Sequence, residues 1–416
     1  MAECPFHQLI EPKTFQSTPV ELYQQLATRP GPVWIDDENM PEGGAWAIGN
    51  RDQMDFISTQ PALFSSSEKG FIYRNLSGDR LVFMRMLLLG MDPPEHRHYR
   101  KVITSVFKPQ AIDAMMPDMR DRARTIVDKV ASRGECEFVT EIAAELPLQV
   151  ICDVVGVPQQ DRHDIMRWSN AVIGRDDPRY NPSGRESDEA EVKLFEYGMQ
   201  LGDKLLADTG STALGRRILL ADVEGDRITP EEYWAFFFIL LLAGTETTRT
   251  ALTNGMYQLI QHPDQLALLR EQPALIPGAT EEMLRFDPPI TKMQRTACQD
   301  IEVGGVQMKK GDRIILFYPA PGHDPGTFDA PEQFDIRRGL DPQLGRAHRA
   351  FGVGEHYCLG HKLARSEMIA MLEQIVPRLK NPRLLSPMTR IVSPELTAAQ
   401  TLHIAFEPES ASATVS

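Results

Sequence analysis

The stretch that most constrains this chain runs from Thr229 to Gln261. Thr229-Pro230-Glu231-Glu232 is a complete helix start, with a threonine cap, a proline at the first position and a glutamate at the third. Behind it, Tyr233 through Ala243 is apolar on every side of the helix, and Gly244 is the first break. A helix without a polar face has to be packed around on all sides. Its uncharged run is polar-ended and short of the about 20 residues that a membrane span needs, so the expectation is a buried central helix. Glu246 and Thr247 then lie deep inside the fold. The residues alone leave two readings open there. One is a structural Glu246–Arg249 pair at i,i+3 with a threonine hydroxyl bonded back to a carbonyl. The other is chemistry.

The chain has 416 residues, enough for a large core. Length alone suggests roughly two or three domains. No Ser/Gly linker or repeat divides it, and the expectation is one domain over 1–416, with disordered tails at 1–11 and 408–416. A net charge of −14 argues against nucleic acid and anionic membranes as partners. Cys4, Cys136, Cys152, Cys298 and Cys358 show neither disulfide nor zinc spacing, which suits a reducing cytoplasm. The N-terminus has no long apolar run, so no signal peptide or membrane anchor is expected.

Chemistry concentrates in Phe351-Gly352-Val353-Gly354-Glu355-His356-Tyr357-Cys358-Leu359-Gly360. A helix follows from His361, with Ile369, Leu372 and Val376 on one side. Cys358 therefore sits at a helix start, where free backbone N–H groups favour a thiolate. Gly352 and Gly354 let the backbone pass close to a large flat ligand. The bland reading is a small buried hydrophobe. Upstream, His96 and Arg100 share a helix face behind Asp92-Pro93-Pro94, which alone reads as a solvated basic face. Glu282 and Arg285 are an i,i+3 pair, worth only ~0.2–0.5 kcal/mol on a surface.

Phe351-Gly-x-Gly-x-His356-x-Cys358-x-Gly360 resembles the signature of the haem-thiolate monooxygenases, the cytochromes P-450. Three further segments agree with it in order: Asp92-Pro-Pro-Glu-His96-x-x-x-Arg100, Ala243-Gly244-x-Glu246-Thr247, and Glu282-x-x-Arg285. The resemblance spans Glu11 to about Phe406. It implies a mainly α fold with small β-sheets and a long central helix over haem b. It implies Cys358 as iron ligand, with Phe351, Gly352 and Gly360 beside the haem, and His96, Arg100, Arg295 and His356 on its propionates. Gly244 would open a groove in which Glu246 and Thr247 manage protons for dioxygen. Phe71, Ile72, Leu81, Ala243, Thr291 and Met293 would line the substrate pocket. A break over Trp168–Asn181 would form a mobile roof with Ala171, Val172 and Ile173 as its apolar lip. Glu282 and Arg285 would be a buried brace. Two positions depart from the pattern: Gln333 replaces an arginine, and Gly322-His323-Asp324 stands for Asn-Arg-Asp.

The function implied is insertion of one oxygen atom from O2 into a hydrophobic small molecule, by hydroxylation or epoxidation. A terpenoid, steroid or lipid-like substrate is expected. The chain shows no flavin fingerprint or iron–sulfur cysteine cluster. Electrons are therefore expected from a ferredoxin and an NAD(P)H-dependent ferredoxin reductase. Arg97, Lys101, Lys108, Lys362 and Arg365 either steer that acidic partner or form an ordinary solvated face. A peroxide-driven peroxygenase and a non-catalytic haem-binding sensor stay open as alternatives.

Overall fold

The computed structural model describes residues 4–104, 106–223 and 226–409. Helices dominate, and several frame one site: α1 (Gly78–Met86), α2 (Glu95–Thr104), α3 (Pro109–Ala131), α4 (Glu145–Val155), α5 (Arg162–Ile173), α6 (Glu186–Ala207), α7 (Pro230–Gln261), α8 (Ile276–Phe286) and α9 (His361–Arg378). The central helix is α7, in contact with α4, α6, α8 and α9. Its start is the capping box read from the sequence: Glu232 N–H donates to Thr229 Oγ1 at 3.2 Å, and Thr229 N–H to the Glu232 carboxylate at 2.7 Å. Ala235, Phe236, Phe237 and Phe238 are all buried, and four consecutive positions point to all sides of the helix. By length and composition α7 is the only helix among the described residues that could cross a membrane, but 72% of that window is buried in the fold.

Gly244 admits a close helix crossing. A Cβ there would stand 2.8 Å from Ile151 Cδ1, so α4 lies closer to α7 than a side chain would allow. That packing is its observed use, alongside its place on a cavity wall.

The largest sheet has the order β1 (Val33–Asp36), β2 (Gly44–Ile48), β5 (Arg313–Leu316), β4 (Met293–Ala297), β3 (Phe64–Ser65). β5 runs parallel to β2 and antiparallel to β4, with Ile314 opposite Trp46 and Arg295. Side chains two apart on a strand share a face. Met293 and Arg295 therefore point the same way, while Gln294 turns back to donate to the Gly70 carbonyl at 3.0 Å.

Three expectations need correction. Residues 4–11 are not a disordered tail, and 1–3 lie outside the described residues: Pro5–Ile10 and Pro12–Gln16 form 3-10 turns, and Phe6, Leu9 and Phe15 are buried with Tyr23 and Leu26. At the other end Glu409 is held by Arg378 at 2.7 and 2.9 Å, and 410–416 lie outside the described residues. The break expected from Trp168 starts later, because α5 continues to Ile173 and gives way at Gly174.

Candidate functional site

A cavity lies between α7 and the start of α9. Ile239, Leu240, Ala243, Gly244 and Thr247 form the α7 wall, and Phe351, Gly352, Cys358, Leu359 and Gly360 lie on the wall facing it. The loop before α9 is held by its own backbone: Cys358 N–H donates to the Phe351 carbonyl at 2.9 Å, and Gly352 and Gly354 take φ of +69° and +76°, which side chains rarely adopt. A Cβ on Gly360 would meet no protein atom within 4 Å, so that side of the backbone is open. Burial pushes the Cys358 thiol up. The N–H groups of Gly360 and His361 and the charges of Arg100 and Arg365 work in the opposite direction.

One edge of the cavity is polar. Arg100, Arg295 and His356 reach it, and His96 packs behind His356 with ring centroids 4.2 Å apart and the rings tilted by 45°. His96 is fully buried, and neither of its ring nitrogens has a partner. His356 Nδ1 is unpartnered as well, and its Nε2 lies 3.2 Å from Ser66 Oγ. Burial and the neighbouring arginines push His96 down to about 4 and His356 to about 2, so both rings are neutral. Arg100 donates to the Tyr357 carbonyl at 2.5 Å and Arg295 to the Gln294 carbonyl at 2.7 Å. Buried polar atoms want partners. Two arginines with unpartnered imidazole nitrogens at one edge suit a pair of carboxylates. The residues thus fit haem: a cysteine sulfur on one wall, apolar surface on both faces and donors at the propionate edge.

On α7, neighbouring positions differ in direction by about 100°. Thr247 lines the cavity, and its hydroxyl donates to the Ala243 carbonyl at 2.6 Å. Glu246 turns away from the cavity. Arg249 grips its carboxylate, Thr250 Oγ1 donates to it at 3.0 Å, and Arg249 also donates to Asn170 Oδ1 on α5 at 2.9 Å. Glu246 and Arg249 are 3% and 4% exposed. The pair at i,i+3 is therefore real, and Glu246 has no direct access to the cavity.

Of the expected pocket residues, Phe71, Ala243 and Met293 line the cavity, while Ile72, Leu81 and Thr291 do not. Ile72 lies in a bend, where the Arg74 N–H donates to its carbonyl at 2.9 Å. Leu81 packs toward Gly70 instead. Thr291 is fully buried, with its hydroxyl given to the Pro394 carbonyl at 2.9 Å. The sequence reading missed Leu88, Leu89, Ile290 and Glu367. A carboxylate between Leu363 and Met371, at i,i+4 spacing on one face of α9, was the available signal for Glu367. It is 2% exposed and bonded to Thr248, and burial pushes it up to about 8.

Behind the cysteine wall, Glu282 and Arg285 are both 0% exposed. Arg285 donates to Glu282 at 2.7 and 2.8 Å and to the carbonyls of Gly322, Pro331 and Gln333 at 2.6, 2.9 and 3.0 Å. Gln333 thus serves through its backbone, and Arg338 supplies the second cation, 3.5 Å from Glu282. His323 is fully buried between Tyr23 and Phe286, and its Nε2 meets the Phe286 carbonyl at 2.9 Å.

Comparison with known proteins agrees with this geometry. The cytochrome P-450 family pattern matches residues 213–381. A steroid C26-monooxygenase of Rhodococcus jostii is 33% identical over 93% of this chain and 82% of its own length. Linalool 8-monooxygenase of Pseudomonas putida is 27% identical over 95% and 97%. The structure of a Mycobacterium marinum cytochrome P-450 in complex with pseudoionone superposes with a TM-score of 0.86, at 26% identity over 95% of this chain and 97% of that one. With a cysteine facing α7 across an apolar cavity, and relatives matching nearly end to end, this chain belongs to the cytochrome P-450 family and is a haem b monooxygenase.

Proposed function

We propose that this enzyme oxidises a terpenoid, steroid or branched lipid at a C–H or C=C bond, with Cys358 as the ligand to haem iron. The observation that carries the reading is the cavity itself: Cys358 on one wall, Thr247 on the facing wall, and Phe71, Leu88, Leu89, Ile239, Leu240 and Ile290 around the space between them. Apolar walls reward burial of hydrocarbon at roughly 25 cal/mol per Å² and offer little to a polar molecule. The names of the relatives support the class: a steroid, linalool and a methyl-branched lipid are their substrates.

Haem held here supplies dioxygen activation and oxygen transfer. The protein's residues do the rest. Arg100, Arg295, His96 and His356 would hold the propionates. Thr247 holds a hydroxyl at the cavity wall, where it can pass a proton or hold a water. Glu246 reaches that site only when its pair with Arg249 opens. Glu282 and Arg285 brace the wall that carries Cys358.

Bacterial enzymes of this family take electrons from redox partners, and here a ferredoxin is proposed. Among the basic residues singled out, Arg97 is paired with Glu355, Lys362 with Asp113 and Arg365 with Glu281. Lys101 and Lys108 are exposed and have no acidic partner among the described residues, so they are the positions left to steer an acidic protein. The cytoplasm is the proposed compartment, supported by five free cysteines.

Two measurements test the proposal. A library of terpenes, steroids and fatty acids is screened by the shift of the haem absorbance, and hits are turned over with ferredoxin and reductase or with peroxide alone. Turnover that needs peroxide and ignores the ferredoxin system would overturn the electron route. Separately, Cys358→Ser should abolish the thiolate-type carbon monoxide spectrum while Cys136→Ser, Cys152→Ser and Cys298→Ser keep it. An unchanged spectrum in Cys358→Ser sinks the ligand assignment.

A further inference from the structure

Arg74 stands where three segments meet above the cavity. Its own segment carries Phe71, a cavity residue. The Glu395 carbonyl accepts from Thr291 N–H at 2.9 Å, next to Ile290 on the cavity wall. Asp176 lies just past the end of α5, in the loop that leads to α6. Arg74 joins all three. It donates to the Asp176 carboxylate at 2.5 and 3.1 Å and to the Glu395 carboxylate at 3.3 Å from two of its nitrogens. Its backbone is fixed too, because Arg313 donates to the Arg74 carbonyl at 3.1 Å.

One guanidinium against two carboxylates leaves the cluster with a net charge of −1. Nearby, Arg80 is countered by Glu191, Arg175 by Asp188 and Glu191, and Arg179 by Asp177. A fatty-acid carboxylate at this cluster would lose water and find the Arg74 guanidinium already paired. To reach Arg74 it would have to displace a carboxylate already bonded in a fork geometry. A hydroxyl or ketone loses far less on leaving water.

We propose that the Arg74–Asp176–Glu395 cluster selects substrates by charge: it closes the roof and excludes carboxylates, so this site takes uncharged hydrophobic molecules. This narrows the substrate class proposed above and rests on that reading.

The test uses the holoenzyme at pH 8 and two ligands with the same chain, dodecan-1-ol and dodecanoate. Binding is read from the haem absorbance shift. The wild type is expected to bind the alcohol on the order of tenfold or more tighter than the carboxylate, the scale of one lost charge-assisted contact. Asp176→Asn with Glu395→Gln frees Arg74, and the preference should fall to about unity or reverse. Asp176→Asn alone touches a partly exposed residue and should move the ratio part of the way, which keeps the test decisive if the double variant folds poorly. Equal affinities in the wild type, or the wild-type ratio retained in both variants, would overturn the charge filter and leave a hydrophobic pocket intact. Failure of dodecan-1-ol and of a panel of neutral terpenes and steroids to shift the spectrum would bring down the hydrophobic-substrate reading, and the filter with it.

Discussion

Glu246→Gln separates two roles for the residue beside Thr247. The substitution keeps shape and an acceptor oxygen but removes the negative charge. Glu246 and Arg249 are 3% and 4% exposed, so solvent cannot take over the lost charge. Breaking a buried pair from one side costs about 3–5 kcal/mol, since the other charge stays buried and uncompensated. Arg249 keeps its bond to Asn170 Oδ1 at 2.9 Å, which favours the lower half of that range. Unfolding entropy near 2.1 cal/mol/K per residue gives roughly 0.9 kcal/mol/K for a chain this long, so the midpoint should fall by about 3–4.5 °C. The assay is thermal unfolding of the holoenzyme followed by circular dichroism. Alongside it, nucleotide oxidised, product and peroxide are measured on a substrate that binds well. The geometry predicts a lower midpoint with oxygen use still coupled to product. A midpoint within about 1 °C of wild type, with oxygen consumption slowed more than about tenfold, would refute the structural reading and restore Glu246 to the proton path.

Thr247→Ala should behave oppositely. Its hydroxyl bonds only to a carbonyl of its own helix, so stability should stay within about 1 kcal/mol. Nucleotide should still be consumed but diverted to peroxide, and wild-type coupling would refute the role given to Thr247. Arg285→Met should cost about 3–5 kcal/mol, because Glu282 loses its paired cation and three backbone carbonyls lose a donor inside the core; denaturant unfolding checks it. His323 contributes a pH dependence of its own, remote from the cavity. Burial and Arg285 push it down to about 3, so the folded state binds fewer protons than the unfolded one. Its contribution is complete above the unfolded value near 6.5 and is lost as pH falls toward 3. At pH 5 the loss is roughly 2 kcal/mol, and His323→Gln should show a correspondingly smaller drop between pH 8 and 5 in urea titrations.

The central helix was legible because its signals are local: a capping box at Thr229 fixes its start, and the apolar run behind it fixes its burial. The cysteine wall was legible for the same reason, since glycines with φ of +69° and +76° are needed where they stand. The pocket was less so. Around Thr291 the chain has no period, so nothing in its sequence says that Ile290 turns to the cavity while Thr291 turns to Pro394. The buried N-terminal turns escaped notice although Phe6 and Leu9 stand three apart, the spacing of one helical face. Their burial depends on a surface made by the sheet and by Tyr23, hundreds of residues of chain away from any local cue in the case of Phe317.

Spacing has a deeper limit, which the two buried ion pairs expose. Glu246–Arg249 and Glu282–Arg285 are both i,i+3 pairs on helices, and both are removed from water. Their remaining bonds differ. Arg285 gives its other donors to three backbone carbonyls of a neighbouring loop, and Asp335 N–H donates to Glu282 at 2.9 Å. Such partners cannot change rotamer, so that pair holds a loop in place. Arg249 gives its donor to Asn170, a side chain on α5, beside Met166 of the same helix. Side-chain partners can rearrange when their helix shifts. The first pair is therefore a fixed brace behind the cysteine wall. The second is a tie between the central helix and the helix that leads into the roof, and its strength depends on where α5 stands. Identical spacing yields two different physical objects because the desolvation cost is the same and the compensation is not.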